Sequence, residues 1–600
     1  MMMETTIKTR SELNEKDCWD LTPLYADAGE WEKDFAKLDD LLAAFLAFKG
    51  RLAESPAVLR DAFRASDELD RLSEQVRVYA CLKRDEDTAD PVNSARRDRI
   101  NAKGAEIAGE TAWFDPELMA IPQETFDAFR SAPELAFYKR TLDETERQRK
   151  HTLSAAEERI LGMSADALAT SYHVFGALHD ADMRFPKIPD GKGGEIEITN
   201  GNYAHFLENP DRAVRKAAYD SCYDTYKSLI NTYASILDGT VKTGVLEAKL
   251  RNHASAREMA LSGDNIPLAV YDNLVDTVHE YLPSLHRYFK LRADVMGMEK
   301  ITMYDIMNPL VPESVQVIPW EEAERLVKRA LQPLGETYCD ILGHAFTDRW
   351  IDIRECRGKR SGAYSWGCYR LPPYLLLNHS DDLESVFTLA HELGHSMHSY
   401  FSDRAQDYHY AGYRIFAAEV ASTTNELLLY HDLMAHATDD AERASLLTYL
   451  LGMIRGTAFR QTMFAEFERD IYAWSENGDP LTAEALCDHY FELNKLYHGP
   501  AVEPDEKIRY EWARIPHFHY GFYVYKYATG ISAAAALAKD ILSGKTDRYM
   551  GFLKSGDSKD VIDILKDAGV DFTSPAPVAA CMQLFDETVT GLEKLLLKKN

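Results

Sequence analysis

Apolar residues recur every three to four positions through most of this chain, and that spacing predicts α-helices. Charged and apolar positions alternate through the first 180 residues, with breaks near Asp115-Pro116 and Ala132-Pro133. Ser154 followed by Glu157 has the pattern of a capping box, so another helix is expected to begin there. Long helices are predicted again from about Tyr203 to Asn308. The chain is therefore expected to be mainly α-helical.

Two short regions depart from the helical pattern and predict β-strands. In the first, Met183–Ile188 and Glu195–Thr199 flank a turn rich in Gly and Pro, which indicates a hairpin. In the second, Trp350–Arg354 and Pro373–Asn378 have the composition of strands on either side of Lys359–Gly367. The hairpin marks a boundary between an N-terminal helical region and the rest of the chain.

The length of the chain bears on its organisation. A chain of 600 residues exceeds what one hydrophobic core usually supports, so two or more lobes are expected. We predict an N-terminal helical region over 1–115, a helical segment with the hairpin over 116–200, and a catalytic region over 201–600.

The candidate chemistry lies directly after the second β region, at His391, Glu392 and His395. Two histidines four apart on a helix project from the same face, so both imidazoles can reach one zinc ion at about 2.0–2.1 Å. Glu392 is one position round from His391 and is free to act as a general base on a water molecule. The alternative is a pair of ordinary helix histidines.

The residues around this motif predict that it lies on a helix. Asp381 followed by Glu384 has the pattern of an N-cap with a charged first turn. An apolar stripe at helical spacing follows, and the two histidines border it, which leaves Glu392 toward a cleft. The stripe consists of Leu383, Val386, Phe387, Ala390 and Met397.

Glu419 is the candidate third ligand, because a catalytic zinc takes three protein ligands and keeps a fourth position open. It lies in a second predicted helix, Arg414–Glu426, among small apolar residues. Burying a lone carboxylate there would be costly, and coordination to a cation would remove that cost. The alternative is a helix acid that faces solvent. Glu426, two turns on, could hold a ligand histidine by its free ring N–H.

Two further segments could contribute to such a site. Gly362 and Ala363 could let an extended substrate lie alongside as an added strand, although an ordinary sheet edge would have the same composition. Pro516–Gly530 is rich in His and Tyr, whose N–H and O–H groups could stabilise the oxyanion of amide hydrolysis. A tyrosine stripe that packs in the core is the alternative.

Composition and charge argue against several classes of function. The net charge of −29 disfavours binding to the phosphate backbone of nucleic acids. The most apolar runs, such as Ile531–Ala538, are too short to cross a membrane, and the first residues have no apolar core for a signal peptide. Eight scattered cysteines without a Cys-x-x-Cys pair argue against a zinc ribbon and a disulfide framework. We expect a cytoplasmic protein that binds neither nucleic acid nor membrane.

Several stretches of the chain resemble the oligoendopeptidase F family, which belongs with thimet oligopeptidase among the zinc oligopeptidases. Similarity at the two ends of the chain, around Trp19–Tyr25 and Ala568–Asp571, extends the resemblance to nearly the whole chain. The central stretches are Ser361–Ser365, Thr388–Ser399, Ala418–Ser422 with Asn425 and Glu426, and Phe522–Gly530.

The resemblance implies a fold and a metal. The expected fold is a two-lobed, prolate, mainly α-helical body, with a small β-sheet beside the zinc helix and a deep central substrate channel. One Zn²⁺ per chain is implied, with His391, His395 and Glu419 as ligands and Glu392 as the base.

The resemblance also implies roles for the segment rich in His and Tyr. His517 and Tyr525 match positions that polarise the carbonyl or hold the oxyanion, and Tyr520 and Tyr523 are the corresponding substrate contacts. His519 departs from the family pattern, in which a tyrosine is expected. The choice between His517 and His519 is therefore left open.

The leading hypothesis is a zinc-dependent endopeptidase that hydrolyses short peptides through a zinc-activated water. A dipeptidyl carboxypeptidase shares the chemistry and differs only in gripping the substrate's C-terminal carboxylate. A catalytically silent peptide-binding relative is the other alternative, although it would have no need of Glu392. A structural zinc site would need a fourth protein ligand, and no candidate adjoins these three. Oligopeptides are the expected partners, and the sequence predicts no oligomeric state.

Overall fold

The computed structural model describes residues 7–311 and 317–597, and most of them lie in helices, which confirms the prediction of a mainly α fold. None of the helices over these residues has the length and apolar character that crossing a membrane requires. Helices α1–α13 are Ala28–Leu46, Pro56–Glu86, Pro91–Thr111, Phe114–Ala120, Gln123–Arg130, Lys139–Arg149, Ala155–Leu168, Thr170–Gly176, Tyr203–Leu207, Arg212–Ser228, Ile230–Leu250, Ala256–Ser262 and Leu268–Glu280. Helices α14–α26 are Leu282–Val295, Trp320–Ala330, Glu336–Thr347, Leu383–Ala405, Tyr408–Ala411, Ile415–His436, Asp440–Ile454, Arg460–Asn477, Ala483–His498, Tyr525–Leu542, Asp547–Leu553, Val561–Asp567 and Ala576–Leu596.

Short strands form three small sheets within the described residues. Strands β1–β7 are Lys187–Pro189, Glu195–Glu197, Ile301–Thr302, Ile351–Asp352, Tyr364–Trp366, Tyr374–Leu376 and Val502–Glu503. β1 pairs antiparallel with β2, which confirms the predicted hairpin, and β3 pairs parallel with β7. The third sheet has the order β4-β6-β5, in which β6 is parallel to β4 and antiparallel to β5. Both strands predicted around Lys359–Gly367 are therefore present.

The helices divide into two compact units, each built from separate stretches of chain. The first unit contains 7–155, 317–432 and 537–569. The second contains 156–311, 433–536 and 570–597. The sequence-based regions, with boundaries after residues 115 and 200, stay a prediction.

The core of the first unit joins its N-terminal helices to the third sheet. Trp31 on α1 is fully buried, and its indole N–H donates to the backbone carbonyl of Val76 on α2 at 2.9 Å. The ring of Trp19 meets Tyr374 of β6 edge-on at 6.1 Å. Lys359 is buried and pairs with Asp352 of β4 at 2.7 Å, so the loop before β5 is fixed to the sheet.

The second unit is held by buried polar contacts between its helices. The Tyr271 hydroxyl of α13 donates to the carbonyl of Ala465 on α21 at 2.6 Å. Arg215 of α10 forms a buried ion pair with Asp305 at 2.9 Å. A π-helical turn, Arg455–Phe459, joins α20 to α21, and 3₁₀ helices at Glu506–Arg514 and Pro516–His519 precede α23.

Candidate metal centre

Helix α17 begins one residue later than the sequence pattern indicated. Asp382 is the N-cap: its backbone is extended, and its carboxylate accepts the Ser385 N–H at 2.7 Å. Asp381 has a φ of +59°, in the left-handed region that Asp tolerates, and pairs with Arg354 at 2.7 Å. The prediction of Asp381 as the cap was therefore wrong, because the left-handed backbone before the helix places the capping geometry one residue later.

The burial of α17 matches the predicted pattern along most of its apolar stripe but not at Glu392. The histidines lie at the edge of the apolar stripe, with the side chains of His391 and His395 29% and 19% exposed. Glu392, which was expected to point toward a cleft, is only 7% exposed. Within the stripe Leu383 is half-buried, and the buried positions are Val386, Phe387, Ala390 and Met397.

Helices α17 and α19 are in close contact at Gly394. A Cβ at this position would lie 2.5 Å from the Cα of Ser422 and 2.7 Å from the carbonyl oxygen of Ala421, so a side chain would push the helices apart. Asn425 of α19 donates to the carbonyl of Ala390 on α17 at 3.1 Å and fixes the same crossing. The contact brings the carboxylates of α19 to the histidines of α17. The only signal of this role in the sequence is a glycine in the interior of a predicted helix.

The crossing gathers the three predicted ligands. The Nε2 atoms of His391 and His395 are 3.2 Å apart, and Glu419 Oε2 lies 3.3 Å and 3.5 Å from them. Tetrahedral ligands at about 2.0–2.1 Å from a zinc ion are about 3.3 Å from one another. Over the described part of the chain, these three residues form a cluster of His and Glu side chains that could hold a metal ion. Their spacing and donor types fit one zinc ion.

The surroundings of Glu419 differ from the expectation that led to it. Its sequence neighbours Ala417, Val420 and Ala421 are buried, but the Glu419 side chain is 44% exposed. The buried neighbours lie on other faces of α19. Burial still raises the pKa of Glu419, but the imidazoles of His391 and His395 outweigh it and lower this pKa well below its ordinary value. Ser422 Oγ donates to Glu419 Oε2 at 3.0 Å and orients the carboxylate.

Glu426 hydrogen-bonds the ring nitrogen of His391 that faces away from Glu419. The Nδ1–H of His391 donates to Glu426 Oε1 at 2.6 Å, which leaves Nε2 facing Glu419. Burial lowers the pKa of His391, but the carboxylates of Glu419 and Glu426 outweigh it and raise this pKa to about 10. The same two charges favour a metal cation at Nε2, where it would replace the proton.

Glu392 lies in a setting suited to a base. Burial raises its pKa above the ordinary value, and the neighbouring Glu419 adds to this, while His391 and His395 oppose it. Ser396 donates to the backbone carbonyl of Glu392 at 3.0 Å, and its Oγ lies 2.7 Å from Ser365 Oγ on β5. Ser396 thus links the backbone at Glu392 to strand β5.

Two of the predicted substrate-binding residues, Gly362 and Ala363, line a cavity of about 340 Å³ in the first unit. Gly362 has a φ of +83°, and Asn378 Nδ2 donates to its carbonyl at 2.7 Å, which fixes the turn before β5. Ala363 shares the cavity with the first turns of α17, including Thr388. β5 is an edge strand whose outer side has no strand partner in the described residues. An extended peptide could pair there, and the substrate-binding role of both residues stays a prediction.

Within the second unit, His517 lies among tyrosines. Its ring stacks near-parallel with Tyr523 at 6.2 Å between centroids, and its Nε2 is 3.4 Å from the Tyr527 hydroxyl. Tyr520 meets the same imidazole edge-on at 5.8 Å and is 49% exposed. These hydroxyls and the imidazole could hydrogen-bond a ligand. Tyr527 belongs to the segment rich in His and Tyr, and its sequence position alone does not single it out.

Two other residues of that segment are enclosed. Tyr525 is 1% exposed, and its ring packs 5.1 Å from Tyr271. The Nδ1 of His519 lies 2.9 Å from the Thr240 hydroxyl, and burial lowers the pKa of His519 to about 4. The Thr240 hydroxyl engages His519, and the choice between His517 and His519 stays open. The catalytic roles of His517 and Tyr525 stay predictions.

The chain is similar to known proteins along nearly its whole length. The family described as Peptidase family M3 matches residues 205–584, and the one described as Oligopeptidase F matches 117–185. The chain is 42% identical to Oligopeptidase PepF of Bacillus subtilis, over 98% of this chain and 88% of that protein. It is 38% identical to Group B oligopeptidase PepB of Streptococcus agalactiae, over 98% of each. The crystal structure of oligoendopeptidase-F from Enterococcus faecium matches with a TM-score of 0.74 at 35% identity, over 95% and 99% of the two chains.

Proposed function

This chain belongs to peptidase family M3 and is a metalloendopeptidase that cleaves oligopeptides, and we propose that His391, His395 and Glu419 hold its zinc ion and Glu392 is its base. The observation that carries the proposal is the 3.2–3.5 Å spacing of the three ligand atoms. A zinc ion there would polarise the scissile carbonyl and make an adjacent water molecule more acidic.

The protein's own groups then move the proton. Glu392 takes a proton from the attacking water and passes it to the leaving nitrogen, and its raised pKa makes it a better acceptor than an exposed carboxylate. Glu426 keeps the ring proton of His391 on Nδ1, so that Nε2 presents its lone pair to the metal.

The substrate is expected to bind as an extended chain along β5. Backbone pairing to the edge strand β5 and to the turn before it, at Gly362 and Ala363, would orient the scissile bond without demanding a particular side chain. His517 and Tyr525 are proposed to assist the carbonyl or the oxyanion, as the family resemblance implies, with Tyr520 and Tyr523 as substrate contacts. One zinc ion per chain and a cytoplasmic location also belong to this proposal.

Metal content and peptide cleavage, measured together, test the metal assignment. Chelation should abolish cleavage, and added Zn²⁺ should restore it at one equivalent per chain. His391→Ala and Glu419→Ala should lose metal and activity together, whereas Glu336→Gln, an exposed acid at the start of α16, should keep both. Full turnover by metal-free protein would show that the proposal is wrong.

Glu392→Gln separates the base from the ligands. The amide cannot accept a proton, so zinc should stay bound while kcat falls by about 10²–10⁴-fold, the usual contribution of a positioned acid–base group. Zinc content is measured by mass spectrometry and cleavage with an internally quenched peptide. A near-normal kcat in Glu392→Gln would mean that another residue is the base.

A further inference from the structure

The second unit contains a cavity of about 300 Å³ that the proposed peptidase chemistry does not use. Most of its wall is apolar, from side chains such as Leu207, Phe289, Met303 and Phe459. A few charged residues interrupt this wall. Sites for small organic molecules have the same composition, with a mainly apolar surface and a small number of placed polar groups.

The charges around the cavity do not balance. Glu511 is the carboxylate in the wall, and it is already engaged by Arg460 at 2.7 Å, by Arg514 at 3.4 Å and by the Tyr490 hydroxyl at 2.7 Å. Burial raises the pKa of Glu511, but the two arginines outweigh it and lower this pKa to about 2. Glu511 is therefore an anion that is already paired with Arg460, Arg514 and Tyr490.

Arg455 is the cation that remains. Its Nε is buried without a hydrogen-bond partner, and no carboxylate lies within ion-pair distance of its guanidinium over the described residues. Burial lowers the pKa of Arg455 to about 10, so it is still charged at pH 7. His498, in the same wall, has its pKa lowered to about 4 by burial and is neutral. Three arginines thus face one carboxylate.

The backbone around Arg455 is built to place it there. Arg455 begins the π-helical turn between α20 and α21, and its carbonyl accepts the N–H of Arg460. Residues five apart in an α-helix point about 140° apart, whereas the wider turn stacks them. Both guanidinium groups therefore line one cavity. Turns of this kind are rare within helices and are frequent at functional sites.

We propose that this cavity binds an organic carboxylate with an apolar body, and that the carboxylate pairs with Arg455. A guanidinium can donate two parallel hydrogen bonds to a carboxylate, which offsets the cost of the buried charge. The apolar body lies against side chains such as Phe289 and Met303. At about 300 Å³ the cavity is at the small end of ligand sites, which suits a small acid.

Calorimetric titration of the full-length protein with 3-phenylpropionate tests the proposal, with 3-phenylpropionamide as an uncharged probe of the same shape. The acid should bind at least tenfold more tightly than the amide, because a charge-assisted hydrogen bond is lost in the amide. Arg455→Met should weaken binding of the acid by a similar factor. This variant should fold, since it removes a half-buried charge that has no carboxylate partner.

Arg443→Met is the matched control, because Arg443 lies on α20 and is absent from the cavity wall. It should bind the acid as the parent does. Titrations are run with zinc present and after chelation, since carboxylates also bind zinc, and the part that depends on Arg455 should be the same in both. This readout is independent of peptide cleavage, so the metal centre and this cavity succeed or fail separately.

Three results would overturn the proposal. Equal affinity for the acid and the amide would show that charge is not recognised. Unchanged binding in Arg455→Met would place the acid elsewhere. Displacement of 3-phenylpropionate by chloride or acetate at similar concentrations would indicate a site for any small anion, with no contribution from the apolar wall.

Discussion

At the scale of single residues, the candidate metal centre depends on a carboxylate that would not touch the metal. Glu426 accepts the Nδ1–H of His391 at 2.6 Å and so fixes the tautomer and the ring orientation. A histidine without this acceptor could rotate or carry its proton on the wrong nitrogen. The sequence contains this arrangement only as a helix spacing, because Glu426 lies two turns after Glu419.

Substitution of Glu426 should therefore weaken zinc binding while all three ligands remain. Glu426→Ala should lower zinc affinity by about 10–100-fold, and Glu426→Gln by less, because the amide oxygen can still accept the ring N–H. Competition with a chelator of known affinity measures both. Glu336→Ala is the control for loss of an acidic side chain. Equal zinc affinity in the parent and in Glu426→Ala would show that Glu426 does not support the metal site.

Glu468 on α21 should make stability depend on pH. It is fully buried, one oxygen accepts the Phe522 N–H at 2.7 Å, and burial raises its pKa to about 8 from an ordinary 4.5. The folded state holds this proton more tightly than the unfolded state. Its stabilising effect is complete below about pH 4.5 and is lost as the pH rises to about 8, at up to about 1.4 kcal/mol per pH unit.

Glu468→Gln mimics the protonated acid and should remove that loss. The variant should gain a few kcal/mol relative to the parent between pH 5 and pH 8, measured as the difference in free energy of unfolding by urea. Glu492→Gln, on the exposed side of α22, should follow the parent at both pH values. A constant difference between Glu468→Gln and the parent would mean that Glu468 is ionised in the folded protein at pH 5.

At the scale of elements, the crossing of α17 and α19 decides whether a metal site exists. A capping pattern with an apolar stripe predicted α17, and a second helix was predicted over Arg414–Glu426, where α19 lies. A turn rich in Gly and Pro predicted the hairpin, and composition predicted the strands β4 and β6. The sequence pattern could not predict the contact at Gly394, because that contact depends on which face of α19 packs against α17. The exposure of Glu419 is a property of the same crossing, and sequence neighbours gave the wrong picture of its surroundings.

A methyl group at Gly394 should separate the two helices. Gly394→Ala places Cβ within 2.5 Å of Ser422 Cα, so the backbone must move, at a cost of about 1–3 kcal/mol. Because the ligands come from both helices, zinc affinity should also fall at least tenfold. Urea unfolding and chelator competition measure the two effects.

Gly551→Ala is the matched control for this change. Gly551 lies within helix α24 of the same unit, and a Cβ there meets nothing within 4 Å. The usual gain in helix propensity should apply, about 0.5–1 kcal/mol, with zinc binding unchanged. If Gly394→Ala were as stable as Gly551→Ala and kept its zinc, the close crossing would not be needed for the site.

At the scale of the whole molecule, residues far apart in sequence belong to one unit. The stretches 7–155, 317–432 and 537–569 form a compact body together, and composition marks none of the joins. The sequence predicted the class of fold because helices rest on local spacing. The spacing of His391 and His395 is local too, whereas Glu419 was chosen for an apolar setting that the structure does not show, and the metal ligands stay a prediction. The division into units rests on contacts between distant segments, and the central channel implied by the family resemblance stays a prediction.

The last prediction concerns what the enzyme accepts: free peptides of about a dozen residues should be cut, and folded proteins should be spared. A substrate that pairs with the edge strand β5 must be extended over several residues. A free peptide meets this condition at little cost. The same segment inside a stable domain must first unfold, at a cost that can approach the domain's stability of about 5–15 kcal/mol.

The measurement is a competition at equal concentration between a free peptide and the same sequence embedded in a stable domain. Mass spectrometry follows both products. The embedded sequence should be cut at least 10³-fold more slowly, because each 1.4 kcal/mol of unfolding cost removes a factor of ten. Destabilising the host domain by a point mutation should restore cleavage in proportion to the lost stability, which ties the protection to unfolding and not to the surrounding sequence. Equal cleavage of the free and embedded sequences would mean that the site accepts folded chains, and pairing along β5 would no longer explain how the substrate is held.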